Sequence, residues 1–427
     1  MQKIIKAEMW DKMQYLFRKY YDRMLHFVIY SKGDIDVNIF KKTVCEMLNS
    51  VTILRSSYRN NLIKPYWVVA DKIKIDEIVK YVEEYEYESI LNEFLTKSIN
   101  VNATSQIRFL IIKSEGMTIM GILANHMCFD GGDFKRLIST LIANYNACLG
   151  YGQKIEYCTG SRDYRLVYEK FNEKERNQAK ALFKNVSSVK TKYSFPFAEK
   201  GKFDKCMIKK IKLEEELVLK FKTIGKKNGA TLNDLYLTAF FLTLYEMFFD
   251  GEKALTIQCM VNLRRHIPFG GEKEGYANHT GFMQCLVPRK VGSFLEMLAE
   301  VKKSTEKSKQ DKFLGLYGLP LLNLGYSIFP HLLSEIVISL GYHNPLIGMS
   351  NIGVISEKDF KFAKTELIDA FITGGIKYKP YMQLAISHCK GVATLTVAIR
   401  GNKRDEELVN MFLIRLKATI YEFVQNN

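Results

Sequence analysis

A chain of 427 residues, 47% of them hydrophobic, 12% aromatic and 25% charged, can bury a large core as one two-lobed unit or as two or three ordinary domains. Only 8 prolines occur and no repetitive or Ser/Gly-rich tract interrupts the pattern, which excludes a low-complexity or intrinsically disordered protein. Lys and Arg number 62 against 46 Asp and Glu, a charge of +16; this suits an anionic partner, but the lysines are spread along the chain and select none by themselves.

The first predicted element is an extended segment, Met24–Ser31, closed by a turn at Lys32–Asp34. Asp36 then precedes a helix whose apolar face, Phe40, Val44, Met47, Leu48 and Val51, keeps the 3.6-residue period. Leu54–Tyr58 (LRSSY) and Tyr66–Val69 read as strands, and Ile107–Ile112 with Met117–Ala124 as a hairpin about Ser114–Gly116. Directly after it runs Asn125-His126-Met127-Cys128-Phe129-Asp130-Gly131-Gly132, followed by a helix from about Asp133 to Cys148. Residues 155–205 are polar and Lys-rich, predicting a surface helix, a crossing segment and a lobe boundary. The expected division is a first lobe over 1–165, a crossing segment over 166–205 and a second lobe over 206–427.

In that second stretch Thr231 and Asp234 have capping-box spacing, and the helix they open is apolar nearly all round, so it should be buried. Strands are predicted at Ala254–Leu263, Thr280–Val287, Ile347–Ile355, Gln383–His388 and Val392–Ile399, and a terminal amphipathic helix from near Asp405. The last hairpin, loop and helix repeat the order found around His126, which suggests two similar lobes, one carrying the histidine.

The cysteines, Cys45, Cys128, Cys148, Cys158, Cys206, Cys259, Cys285 and Cys389, form no CxxC pair and no Cys/His group with zinc-ligand spacing, so no metal is expected. The first residues mix charge into every turn and do not read as a signal peptide. Scattered thiols without an export signal predict a reducing cytoplasm. No run of about 18 uncharged apolar residues predicts a spanning helix.

His126 ends an apolar strand, Asp130 stands four residues on, and paired glycines allow a tight backbone before the helix. A histidine so placed can take a proton from a hydroxyl or amine attacking a carbonyl. On local sequence a satisfied core histidine, with Asp130 as a helix N-terminal residue, fits equally well.

ANHMCFDGG resembles the HHxxxDG motif of non-ribosomal peptide condensation domains, alcohol acetyltransferases and related acyltransferases. LRSSY, TLNDLYLTA, VNLRRHIP and MSNIGVI follow in the order of that superfamily, so the resemblance spans almost the whole chain. It implies an α/β (α+β) fold of two chloramphenicol-acetyltransferase-like lobes, each a mixed β-sheet flanked by helices, with an active-site channel between them. It further implies His126 as catalytic base and Asp130 as a structural aspartate paired with an arginine, for which Arg264 is the better match than Arg265. Gly131 would help hold an oxyanion through its backbone, with Gly132 and Asn125 in support, and Ser350 and Asn351 would put polar groups near the channel. Without the resemblance, the arginines read as surface charge and Ser350 and Asn351 as a strand-end hydrogen bond.

There are departures. Asn125 replaces the first histidine of the motif, the DFGWG motif of the plant branch is absent, and no adenylation or carrier module is attached, so a carrier donor would act in trans. The stretch Phe313–Met349, rich in Leu, Ile, Gly and Phe, fits packing helices, an acyl pocket or a peripheral membrane contact.

The implied activity is acyl transfer from a thioester to an alcohol or amine by direct attack, with no bound cofactor. Acyl-CoA or a carrier protein's phosphopantetheine thioester would be the co-substrate, a small molecule the acceptor, and the protein a monomer. One rival is a non-catalytic relative that binds a carrier protein or a small molecule; the intact His126, Asp130 and Gly131 stand against it. The other, a nucleic-acid binder, has only the +16 charge and no recognition motif behind it.

Overall fold

The computed structural model describes residues 3–183, 193–201, 204–249, 251–268, 274–290, 292–341 and 345–427. The chain begins with β1 (Ile4–Lys6), α1 (Met9–Leu16), β2 (Met24–Lys32) and α2 (Val37–Ser50). The Asp36 side chain accepts from the N–H groups of Asn38 and Ile39, which fixes the start of α2, and the helix buries Phe40, Val44, Met47 and Leu48. Leu54 and Arg55, expected in a strand, lie in a 3-10 turn that lowers Leu54 into the core, and β3 (Ser56–Arg59) starts after them. Next come β4 (Tyr66–Val69), α3 (Ile75–Ile78), β5 (Val79–Glu83) and α4 (Tyr87–Leu95). The hairpin of β6 (Ile107–Ser114) and β7 (Met117–Asn125) leads into α5 (Gly131–Cys148), which begins at Gly131 rather than Asp133 because Asp130 caps it. In the polar stretch after it, α6 (Glu173–Lys180) forms; the expectation for residues 184–192 and 202–203 lies outside the described residues.

The second half contains β8 (Lys205–Leu213), α7 (Glu215–Lys227), α8 (Leu232–Met247), β9 (Leu255–Asn262), β10 (Thr280–Val287) and α9 (Phe294–Lys309). It continues through α10 (Leu319–Ile328), α11 (His331–Gly341), β11 (Ile347–Ile355), α12 (Glu357–Phe360) and β12 (Glu366–Thr373). It ends with β13 (Lys377–Tyr378), β14 (Met382–Cys389), β15 (Val392–Gly401) and α13 (Lys403–Gln425). Thr231 and Asp234 form a reciprocal capping box at α8, whose Leu235, Leu237, Phe240, Phe241 and Leu244 are fully buried. Thr231→Ala is expected to cost about 1 kcal/mol, read from urea unfolding.

Among the described residues, one sheet runs β12-β2-β7-β6-β5 and a second runs β10-β9-β11-β14-β15, with β8 and β13 against β15. α2 and α5 pack their apolar faces into the first core, and α7, α8, α9 and α13 into the second. The stretch 206–427 is not closed on itself. Its β12 pairs antiparallel with β2, Glu366 opposite Lys32 and Thr373 opposite His26, and so becomes the edge of the first sheet. No described helix is long and apolar enough to cross a membrane.

Candidate active site

His126 is the first residue after β7, and its N–H donates to the Arg23 carbonyl at 2.8 Å. Asn125 before it is fully buried: its amide nitrogen donates to Gln106 Oε1 at 2.8 Å and its Oδ1 accepts from the Met127 N–H at 3.0 Å. Asn125 therefore shapes the turn from behind. The His126 Nδ1 lies 3.0 Å from Asn278 Oδ1, while the Asn278 amide nitrogen donates to the His126 carbonyl at 2.8 Å. That second bond fixes the Asn278 amide, so the histidine carries its proton on Nδ1 and keeps the Nε2 lone pair for the cavity it lines. Burial lowers the His126 pKa below 6.5; Asp130 opposes this and Lys377 adds to it.

Asp130 stands at the N-cap of α5. Its Oδ1 accepts from the Gly132 and Asp133 N–H groups, and its Oδ2 from the His279 N–H at 2.7 Å and the Thr280 hydroxyl at 3.2 Å. Arg264, in the turn after β9, brings Nη1 to 2.8 Å from Oδ2, an ion pair from one sheet's connection to the other's. Burial alone would raise the Asp130 pKa, but Arg264 and these donors hold it at about 2. Arg264 also meets Asp133 at 2.7 Å and Glu274 at 2.8 Å. Burial and the neighbouring Asp130 raise Asp133 to about 6 despite the arginine.

Gly131 lines the cavity, and the N–H groups of the next three residues are taken by the Asp130 side chain and carbonyl. A Cβ at Gly132 would stand 3.2 Å from Asp130 Oδ1 and 3.6 Å from Arg264 Nη1. Since Asp130 is pinned by its donors it cannot yield, and Gly132→Ala is expected to cost about 1–3 kcal/mol in an unfolding titration. Ser350 and Asn351 on β11 also line the cavity, with Asn351 Oδ1 accepting from the Gly353 N–H at a bulge in the strand. Arg265, outside this network, offers its carbonyl to Lys170.

Several residues were not foreseen. Asn278 is one; it lies two residues before β10, and no local pattern ties it to His126. Arg162 is another: it forks onto Asp11 at 3.0 and 2.8 Å and holds the carbonyls of Met127 and Cys128, clamping the His126 loop from outside. Lys377 lines the cavity with Nζ 3.8 Å from the centre of the Tyr21 ring, and burial lowers its pKa to about 8. Nothing local announces either cation.

His126, Asp130, Gly131, Arg264, Asn278 and Lys377 border one cavity of about 980 Å³, lined also by apolar side chains of α10 and α11. Among the described residues no group of three or more His, Cys, Asp or Glu side chains is placed to hold a metal ion. A histidine, a fixed N-cap carboxylate and a cavity large enough for a small molecule meet here.

Known structures share this fold. Polyketide synthase associated protein 5 from Mycobacterium tuberculosis superposes with a TM-score of 0.68 at 14% identity, over 99% of this chain and 100% of that one. The epimerization domain from the third module of tyrocidine synthetase B gives 0.68 at 11% identity, over 100% and 98%. TRI3 trichothecene 15-O-acetyltransferase from Fusarium sporotrichioides gives 0.68 at 11% identity, over 98% and 96%. At these identities the likeness is one of fold. No curated protein sequence matches the chain. The sequence model of the Condensation domain matches residues 9–319, well over half of the chain, and with the fold and the His126 loop in view the protein belongs to the condensation-domain family.

Proposed function

We propose that the protein transfers an acyl group from a thioester, on coenzyme A or on a carrier protein's phosphopantetheine, to an alcohol or amine. The reading rests chiefly on His126, whose proton is held on Nδ1 by Asn278 while Nε2 is left free beside the cavity. The acceptor O–H or N–H gives its proton to Nε2 as its heteroatom attacks the thioester carbonyl. The Gly131 N–H at the start of α5 would favour the negative charge that develops on the carbonyl oxygen. Collapse of the tetrahedral adduct breaks the C–S bond, and the proton on Nε2 passes to the departing thiolate. Asp130 and Arg264 act as positioning residues that hold the loop. The activity of TRI3 as a 15-O-acetyltransferase accords with an alcohol acceptor on this fold. The test is a panel of acyl-CoAs with short alcohols and amines, following release of free thiol. Thiol release that no acceptor accelerates would overturn the proposal.

The protonation state of His126 gives a sharper check. Burial depresses its pKa below 6.5, so the neutral base persists through neutral pH and is lost only on acidification. kcat/KM should be flat near pH 7 and fall on an acid limb centred below 6.5, the ordinary value. An acid limb centred above 6.5 would remove His126 from the role of base.

Charge at the cavity bears on the donor. Arg264 and Arg136 are offset by Asp130, Asp133 and Glu274. Among the described residues Lys135, which also lines the cavity, has its Nζ on the Ile352 and Val354 carbonyls rather than on a carboxylate, and Lys377 feels Asp22 only at longer range than an ion pair. An anionic donor should therefore associate more slowly as salt rises. The rate constant kcat/KM for acyl-CoA, measured from low to moderate salt, is expected to fall; a flat profile would mean that recognition lies in the pantetheine arm.

A further inference from the structure

The surface of α11 is inside out. His331, Ser334 and Glu335 are buried, and Glu335 is forked by Arg18 at 2.8 and 3.2 Å. His331 Nε2 meets Asn60 Oδ1 at 2.9 Å, and the Ser334 hydroxyl donates to the Gly325 carbonyl at 3.0 Å. The opposite face, Leu332, Leu333, Ile336, Val337 and Leu340, points to solvent. Leu321, Leu324, Ile328 and Phe329 of α10 and its end extend that face, and Leu62 and Ile63 join it, because their loop accepts the His331 and Leu332 N–H groups. All these side chains are between 41% and 73% exposed. Single exposed leucines are ordinary; a contiguous uncharged field of this size marks a contact surface.

Two observations identify what covers it. The patch is continuous with the cavity, since Leu321, Leu324, Ile328, Phe329 and Val337 belong to both. Its rim is cationic: Lys64 is exposed beside Ile63, and Lys12 Nζ lies over the Tyr326 ring of α10. We propose that α10, α11 and the Leu62–Ile63 loop dock on a lipid bilayer bearing anionic headgroups, and that a lipid-soluble acyl acceptor passes from it directly into the cavity. An apolar helix face with basic flanks is the chemistry that binds such an interface. The substrate half rests on the acyl-transfer reading; the docking half does not.

The test is co-sedimentation with phosphatidylcholine vesicles, with and without phosphatidylglycerol. Wild type should bind, and more tightly when phosphatidylglycerol is present. The double substitution Leu332→Asp with Ile336→Asp, at positions that do not line the cavity, should lower the partition coefficient at least about tenfold without shifting the melting temperature. Lys64→Glu should weaken binding only to the anionic vesicles, and His126→Ala should bind like wild type whether or not the enzyme reading holds. A long-chain alcohol carried in the vesicles should be acylated more slowly by the double variant, and a short soluble alcohol equally well. Absence of vesicle binding, an unchanged partition in the double variant, or a dimer by light scattering that buries the patch would overturn docking. Docking without a difference between the two alcohols would overturn the substrate route.

Discussion

Replacing His126 with alanine is expected to lower kcat/KM by about two to four orders of magnitude, the usual size of a lost general base, while the protein stays folded. The ring meets the Asn278 side chain through Nδ1 and the backbone of its own residue, and the His126 N–H bond to Arg23 and the bond from Asn278 to the His126 carbonyl persist without it. Removing it therefore opens space at a cavity wall and leaves the turn pinned by Asn125 and Arg162. Asn278→Ala provides the control. It frees the ring to take either tautomer, so turnover should fall by less than in His126→Ala and the acid limb of the pH profile should move. A folded His126→Ala protein with wild-type turnover would end the assignment.

Asp130→Asn should damage stability at least as much as rate. The carboxylate accepts from two N–H groups of its own helix, the His279 N–H, the Thr280 hydroxyl and Arg264. An asparagine offers one acceptor and turns an NH2 toward donors, leaving Arg264 short of a counter-charge in a buried site. The expected loss is about 3 kcal/mol, at the low end for a broken buried pair because Asp133 and Glu274 still face the guanidinium. The pH dependence follows in sign. With a folded pKa of about 2 against 3.8 unfolded, the charged form contributes about 2 kcal/mol. That contribution is present above pH 3.8 and lost as pH falls toward 2. Asp133, raised to about 6, has the opposite sign: the fold gains from its protonation as pH drops through 6. Urea unfolding of wild type and Asp130→Asn at several pH values separates the two, and a difference below about 1 kcal/mol at pH 7 would exclude a structural role for Asp130.

Elements whose local chemistry and burial agree were legible in the sequence. The strand β7, the His126 loop and α5 form one such run, and so does α8 with its Thr231–Asp234 box, because a 3.6-residue apolar period and a cap point the same way. Arg264 was matched to Asp130 through the family resemblance, since no local pattern links residues 134 positions apart. Asn278, Arg162 and Lys377 went unseen for the same reason: each acts across a contact that only the folded chain creates. The strand β8, KCMIKKIKL, keeps no period-2 alternation and was not predicted; it forms because β15 is there to pair with it. The run Phe313–Met349 reads as packing helices, an acyl pocket or a membrane contact, and it forms α10 and α11 at the cavity; that α11 hides its polar residues and shows its apolar ones needed the fold.

The loan of β12 to the first sheet also constrains how the protein is made. Until residue 373 has left the ribosome, β2 is an open edge, nine residues long and almost wholly buried in the finished fold. An apolar edge of that kind is a template for pairing with other chains, and it waits while more than three hundred further residues are synthesised. A fragment ending before Glu366 should therefore aggregate through β2 even though it contains the whole His126 loop, and chaperone dependence during translation should end when β12 docks.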